Sequence, residues 1–284
     1  MYFIAEVSSN HAQDLERCID FVKASADAGC DAVKFQLFEV EKLFSPEVLE
    51  ANPDVLERKK WEMPRSFFPQ IQQACKEYNI DFGCTPFDLN AVDFLNDYVD
   101  FYKIASYELL WDQLILSCAN TNKNLIISTG MASIEEVVHA NDILKNAGSI
   151  NHAFLHCVSA YPTPPKETNL SAIKHMRDKL NCKIGWSDHT VNPAVLYRAI
   201  NKWGAEIIEF HIDLEGEGAE FSSGHCWLPD QIQEVISNIR EGFECDGSGK
   251  KIPQPSEIND RAWRADPQDG LRPLKTTRNE LKKK

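Results

Sequence analysis

The chain has 284 residues, 43% of them hydrophobic, enough for one large buried core, and its formal net charge of −13 argues against a nucleic-acid or anionic-membrane partner. No run of roughly 18 uninterrupted apolar residues occurs and Met1 to Glu6 carries no basic leader, so neither membrane anchoring nor export is expected. Nine cysteines, odd in number and forming no CxxC pair, fit reduced thiols and a cytoplasmic protein.

Along the chain, apolar runs of strand length alternate with helical-period segments. Strands are expected near 2–7, 32–37, 80–86, 101–106, 124–130, 153–158, 183–189 and 206–213. Helices are expected near 14–28, 65–78, 90–97, 111–121, 133–147, 169–179, 193–203 and 228–241. Eight such pairs predict an α/β fold, a closed (β/α)8 TIM barrel over residues 1–245. Asp88, Ser133 with Glu136, and Pro193 supply helix-start chemistry where the pattern needs it. The proline-broken stretch 38–64, with its charged run Glu57-Arg58-Lys59-Lys60, reads as a loop with a short helix over the barrel mouth, a candidate lid. From 246 to 284 glycines and prolines replace periodic patterning, and an irregular C-terminal tail is expected.

Polar residues recur at the ends of these strands: Glu6, Lys34, Gln36, Lys103, Ser106, Ser128, Ser187, His189, Glu209 and His211. That rim is where barrel enzymes gather their active sites. Alternation puts Lys34 with Gln36, Ser187 with His189, and Glu209 with His211 on shared strand faces. Unpaired charge inside a barrel costs several kcal/mol, so Glu6, Lys34, Lys103 and Glu209 form either a structural network or a site. His189 and His211, on neighbouring strands, suit a divalent metal with open coordination positions; two histidines packed as hydrogen-bonded core residues are the alternative. Lys34 and Lys103 suit one shared anion, a phosphate or phosphate-carboxylate, with the hydroxyls of Thr85, Ser106, Ser128 and Ser187 around it. Either lysine would alternatively serve as a Schiff-base amine. Tyr161, in Tyr161-Pro162-Thr163-Pro164-Pro165, is a hydroxyl-binding group at the mouth or part of a rigid turn. His156 is undecided between core and site, while His139, His152 and His175 read as ordinary surface groups.

Taken together, Ile4-Ala5-Glu6 with Asn10-His11, Lys34-Phe35-Gln36, Thr85-Pro86-Phe87, Lys103-Ile104-Ala105-Ser106, Ser128-Thr129-Gly130-Met131, Tyr161-Pro162-Thr163-Pro164, Ser187-Asp188-His189-Thr190 and Glu209-Phe210-His211 closely resemble the sialic acid (N-acetylneuraminate) synthase family over residues 2–245. The resemblance implies a metal-dependent barrel enzyme that condenses phosphoenolpyruvate with an N-acylmannosamine-type or related aldose, giving a nonulosonic 2-keto sugar acid and phosphate. It implies that Lys34, Thr85, Lys103, Ser106, Ser128 and Ser187 hold phosphoenolpyruvate and that Gln36, Glu108 and Tyr161 hold the acceptor sugar. His189 and His211 would ligate Mn2+, with Mg2+ or Co2+ as alternatives, and Glu6 would orient or deprotonate the attacking water. A homodimer is the family habit.

Departures from the family text fall near the acceptor side. Glu220, in Gly218-Ala219-Glu220-Phe221, stands where the family carries an aspartate, and His225 is an addition; both are candidates for lining the acceptor space. Phe210 replaces the usual lysine, and Ser159-Ala160 precede Tyr161. The family's small antifreeze-like C-terminal domain, which lends an arginine across a swapped dimer, is expected to be missing, leaving Arg261, Arg264 and Arg272 either to reach a neighbouring site or to lie on a surface tail. A Schiff-base barrel aldolase and a non-catalytic sugar-acid or phosphometabolite binding protein are the competing functions.

Overall fold

The computed structural model describes residues 1–283. Eight parallel strands, β1 (Tyr2–Glu6), β2 (Ala32–Leu37), β3 (Asp81–Pro86), β4 (Phe101–Ile104), β5 (Asn124–Ser128), β6 (His152–Cys157), β7 (Lys183–Asp188) and β8 (Ile207–Ile212), follow one another around the sheet. The circle closes because β8 also pairs with β1, with Tyr2 opposite Ile207 and Glu6 opposite His211. This is the (β/α)8 barrel the alternation predicts. Helices α1 (Leu15–Asp27), α2 (Val40–Leu43), α3 (Pro46–Ala51), α4 (Phe68–Glu77), α5 (Leu89–Leu95), α6 (Asp112–Asn120), α7 (Ile134–Asn146), α8 (Ala172–Leu180) and α9 (Pro193–Asn201) lie between the strands.

Side-chain alternation divides each strand between two environments. On β2, Val33, Phe35 and Leu37 join the large core between sheet and helices, together with Phe21 and Val22 of α1 and Phe68 and Ile71 of α4. Ala32 instead joins Ile4, Phe101, Ile126, Ala153, Leu155 and Ile207 in a separate apolar cluster inside the barrel. Phe101 fills that interior so closely that a Cβ on Gly83 would lie 2.1 Å from its ring. One step further along the same strand faces come Glu6, Lys34, Lys103, Ser128, Ser187 and Glu209, all buried. The barrel therefore has an apolar floor and a charged upper layer.

Local capping follows the sequence chemistry. Asp14 accepts from the backbone of Glu16 and Arg17 at 2.9 and 3.2 Å, Asp88 accepts from Ala91 N at 2.8 Å, and Ser133 with Glu136 completes a capping box on α7.

Three regions differ from expectation. The stretch 38–64 is not a loop with one short helix but holds α2, α3 and a 3-10 segment, Pro53–Trp61, because its prolines occupy first-turn positions rather than interrupting helices. Gln13 fastens it to the loop after β1, donating to the carbonyls of Lys59 and Glu62 at 2.9 and 2.8 Å. After β8 the chain forms α10 (Ala219–Ser222) and a two-residue strand, β9 (Cys226–Trp227), too short for any periodicity to reveal, that pairs His211 with Cys226. Helix α11 (Pro229–Cys245) follows. The chain divides into two compact units, Met1–Arg240 and Glu241 onward. Within the second unit, read as irregular from sequence, two 3-10 turns precede α12 (Lys275–Leu281); Asp266 accepts from Gln268 N and Lys275 N, and Arg278 pairs with Asp269 at 2.9 Å. Arg261, Arg264 and Arg272 belong to this unit. Among the described residues no helix is long and apolar enough to cross a membrane.

Candidate active site

The charged layer at the C-terminal ends of the strands is a linked set of hydrogen bonds and ion pairs. Lys34 on β2 pairs with Glu6 on β1 and donates to Thr85 Oγ1 on β3 at 2.9 Å. Gln36, two residues on, donates to Glu6 Oε1 at 2.5 Å and to Ser8 Oγ at 3.3 Å. Lys103 on β4 lies 3.5 Å from Glu209 Oε1 on β8, which also accepts from Ser187 Oγ on β7 at 3.1 Å. Two ammonium groups and two carboxylates thus neutralise one another where water is excluded, the condition under which buried ions persist. Burial lowers the Lys103 pKa despite the opposing pull of Glu209. Lys34 is also fully buried, yet Glu6 and Glu209 outweigh the burial and raise it. Burial resists ionisation of Glu209 too, but Lys103 and Lys34 hold it below the ordinary carboxylate value.

In and beside this layer lie buried polar atoms with no hydrogen-bond partner: Ser128 Oγ at the end of β5, Glu108 Oε2 after β4, Ser159 Oγ after β6, and Glu209 Oε2. Ser106 completes the group, its Oγ accepting from Gly130 N at 2.9 Å. Buried polar groups are normally bonded, so such a concentration at the strand ends is the chemistry a ligand-binding pocket would present. Glu108 is pushed up to about 7 by burial, which Lys103 only partly offsets.

The imidazoles form the other wall. His189 and His211 have ring centroids 5.3 Å apart, and Tyr161 packs on His189 at 4.2 Å. His189 donates through Nδ1 to the Val158 carbonyl and His211 through Nδ1 to Glu220 Oε2, each at 2.9 Å, leaving Nε2 as the open nitrogen of both rings. Imidazoles oriented by a carbonyl and a carboxylate are the usual arrangement around a metal ion, and with metal–nitrogen distances of about 2.0–2.1 Å two rings sit about 5 Å apart. Each ring is hydrogen-bonded as a core histidine would be, but only through Nδ1; the two Nε2 atoms left open are what suit a divalent cation. Burial, and then the neighbouring His211, push His189 down to about 3, so it stands as the neutral ring that a ligand must be.

The remaining candidates are placed as follows. Glu220 on α10 reaches back to the first loop: Oε1 accepts from Ser9 N and Oγ at 3.2 and 2.6 Å. His225 is buried with its ring 5.0 Å from His211 and 5.1 Å from Tyr161. His156 proves structural, donating to the Thr168 carbonyl at 2.8 Å and packing on Trp186. His152 is half-buried against Asn141 and His139 pairs with Asp112 at the surface. Sequence reasoning passed over Asp188, Ser9 and Cys226. Asp188 accepts from the indoles of Trp186 and Trp227 at 3.0 and 3.3 Å and from Thr190 Oγ1 at 2.7 Å, anchoring the strand end that carries His189. Its signal was present, a carboxylate between Trp186 and Thr190 on a buried strand; for Ser9 there was none, since Glu220 lies 211 positions away, and Cys226 meets His211 only through the pairing of β9 with β8.

Comparison with known proteins agrees with this geometry. Residues 21–251 match the NeuB family. The chain is 36% identical over 263 residues to an uncharacterized protein of Methanocaldococcus jannaschii, covering 90% of this chain and 75% of that one. It is 31% identical over 267 residues to the N,N'-diacetyllegionaminic acid synthase of Campylobacter jejuni, covering 89% and 80%. Among solved structures, the N-acetylneuraminic acid (sialic acid) synthetase of Leptospira borgpetersenii superposes with a TM-score of 0.80 at 29% identity, covering 100% of this chain and 93% of that one.

Proposed function

Because the chain belongs to the NeuB family, whose named relatives are sugar-acid synthases, we propose that it condenses phosphoenolpyruvate with an N-acylmannosamine-type or related aldose to give a nonulosonic 2-keto sugar acid and phosphate. The observation that carries this reading is the juxtaposition of two buried lysines and unpartnered hydroxyls with two imidazoles whose Nε2 atoms are open. In it, Lys34, Thr85, Lys103, Ser106, Ser128 and Ser187 hold phosphoenolpyruvate, the lysines matching its phosphate and carboxylate charge. Gln36, Glu108 and Tyr161 take the hydroxyls of the acceptor. A divalent cation, manganese or a similar ion held by His189 and His211, supplies Lewis acidity toward the acceptor aldehyde when bound. Lys34 and Lys103 fix the enol so that its terminal carbon bonds to that aldehyde carbon. Glu6, steadied by Gln36, orients or deprotonates the water that adds to the former enol carbon before phosphate departs. The nine unpaired cysteines support a cytoplasmic setting.

The test is phosphate release from phosphoenolpyruvate by the purified chain with Mn2+ and a panel of N-acylated hexosamines and ordinary aldoses. Release is expected only with a matching acceptor and is lost on chelation; no release with any acceptor overturns the reading. The lowered pKa of Lys103 favours one competitor, a Schiff-base aldolase. Borohydride trapping with pyruvate decides between them, since a lysine labelled without metal would establish the aldolase.

A further inference from the structure

A second group of donors stands on the other side of His211. Strand β9 pairs with the end of β8 so that Cys226 lies opposite His211, and the intervening loop returns Glu220 to the same place. The ligand atoms of His211, Glu220, His225 and Cys226 all lie within 4.8 Å of one another. Individual separations are short: Glu220 Oε2 is 2.9 Å from His211 Nδ1, 3.6 Å from His225 Nε2 and 3.9 Å from Cys226 Sγ. Donors placed tetrahedrally about 2.0–2.3 Å from a zinc ion lie about 3.3–3.8 Å from one another, so little movement separates this cluster from a coordination shell.

Burial points the same way. His225 is 6% exposed and its Nδ1 has no partner, and Cys226 is 2% exposed. His225 turns Nε2, not this Nδ1, toward Glu220, so what the cluster itself leaves uncompensated is a carboxylate crowded by two imidazoles and a buried thiol. A dication would relieve it, because one carboxylate and one thiolate neutralise two positive charges while two imidazoles complete four-coordination.

We propose that Glu220, His225 and Cys226, with the Nδ1 edge of His211, form a binding site for a zinc-class divalent cation, distinct from the open Nε2 nitrogens of His189 and His211. The sulfur ligand makes the site selective for borderline and soft cations over Mg2+ and Mn2+. Binding converts the Cys226 thiol to thiolate, with its proton released to solvent, and displaces the Nδ1 proton that His211 otherwise donates to Glu220, to Nε2 or, when a cation already holds Nε2, to solvent. The ion would fasten β9 and the 213–225 loop to the end of β8, a closed structural site beside the proposed catalytic one.

Cobalt(II) titration of the chelator-treated full chain tests this without reference to turnover. Tetrahedral Co2+ with a thiolate ligand shows a near-ultraviolet charge-transfer band and intense visible absorption. The wild type and His189→Ala should both show the charge-transfer band, saturating at one equivalent of thiolate-bound ion per chain whatever the imidazole pair binds, and Zn2+ should abolish the band while Mg2+ does not. Cys226→Ser should lose the charge-transfer band, and His225→Ala should weaken binding at least 10-fold, with circular dichroism confirming that each variant folds. Absence of the band in the wild type, its persistence in Cys226→Ser, or its loss in His189→Ala overturns the proposal. Because no substrate is used, these outcomes are independent of whether the chain is a synthase.

Discussion

Replacing Glu108 by Gln should change how the stability of the protein responds to pH. Its carboxyl titrates at about 7 in the folded chain against an ordinary 4.5, because burial disfavours the charged form and Lys103 compensates only in part. With Oε2 lacking any protein partner, ionisation leaves an unsatisfied charge. Between these two values the folded chain binds the proton that the unfolded chain has released, so stability falls as pH rises. Below 4.5 the penalty is absent and above about 7 it is complete. At about 1.4 kcal/mol per pH step, the gap from 4.5 to about 7 amounts to at most about 3.5 kcal/mol, about 3 once residual solvent screening is allowed for, and it develops between about pH 4.5 and pH 7. Glu108→Gln keeps the shape and removes the titration. Urea unfolding of both proteins across that range, without phosphoenolpyruvate, should show the variant gaining on the wild type by about 3 kcal/mol toward alkaline pH. A difference that stays constant with pH would refute the claim that Glu108 is a desolvated, unpaired carboxyl.

Other perturbations follow from the same geometry. In Gly130→Ala the new Cβ would stand 2.2 Å from Ser159 Oγ and 2.9 Å from Ser106 Oγ, displacing the Ser106 hydroxyl assigned to phosphoenolpyruvate and the Ser159 hydroxyl beside it. The expected result is a rise of about 10-fold in KM for phosphoenolpyruvate, with up to about 3 kcal/mol lost in stability, measured by steady-state phosphate release and urea unfolding; an unchanged KM would argue against the placement of Ser106. Asp188→Ala strands two indole N–H groups, the Thr190 hydroxyl and the Val191 amide in a fully buried position, and should cost about 3–5 kcal/mol by urea unfolding, with Asp188→Asn milder. A loss under about 1 kcal/mol would contradict the anchoring role of that network.

Much of the barrel was legible because its signals are local. Val33, Phe35 and Leu37 alternate with Lys34 and Gln36 within six residues of β2, and that period alone separates an outward apolar face from an inward polar one. The same alternation places Lys34, Lys103, Ser187, His189 and His211 at one rim. Local signals also locate the caps at Asp88 and Ser133, which depend on side chains three residues from the amides they bond. Of the helical segments in 38–64 the sequence indicates one short helix rather than three, because Pro46 and Pro53 read as breaks although each occupies a first turn.

The order of strands, their buried faces and the residue types at their ends were therefore determined by the amino-acid sequence itself, since each rests on contacts within a turn or a pleat. Which edge of His211 faces what was decided only in three dimensions. Ser9 and Glu220 are 211 positions apart, and β9 is a two-residue strand that exists because it pairs with the end of β8. Closure of the circle brings the first loop beside the last, and no pattern along a single chain encodes which long-range partner a lone carboxylate, imidazole or thiol will meet.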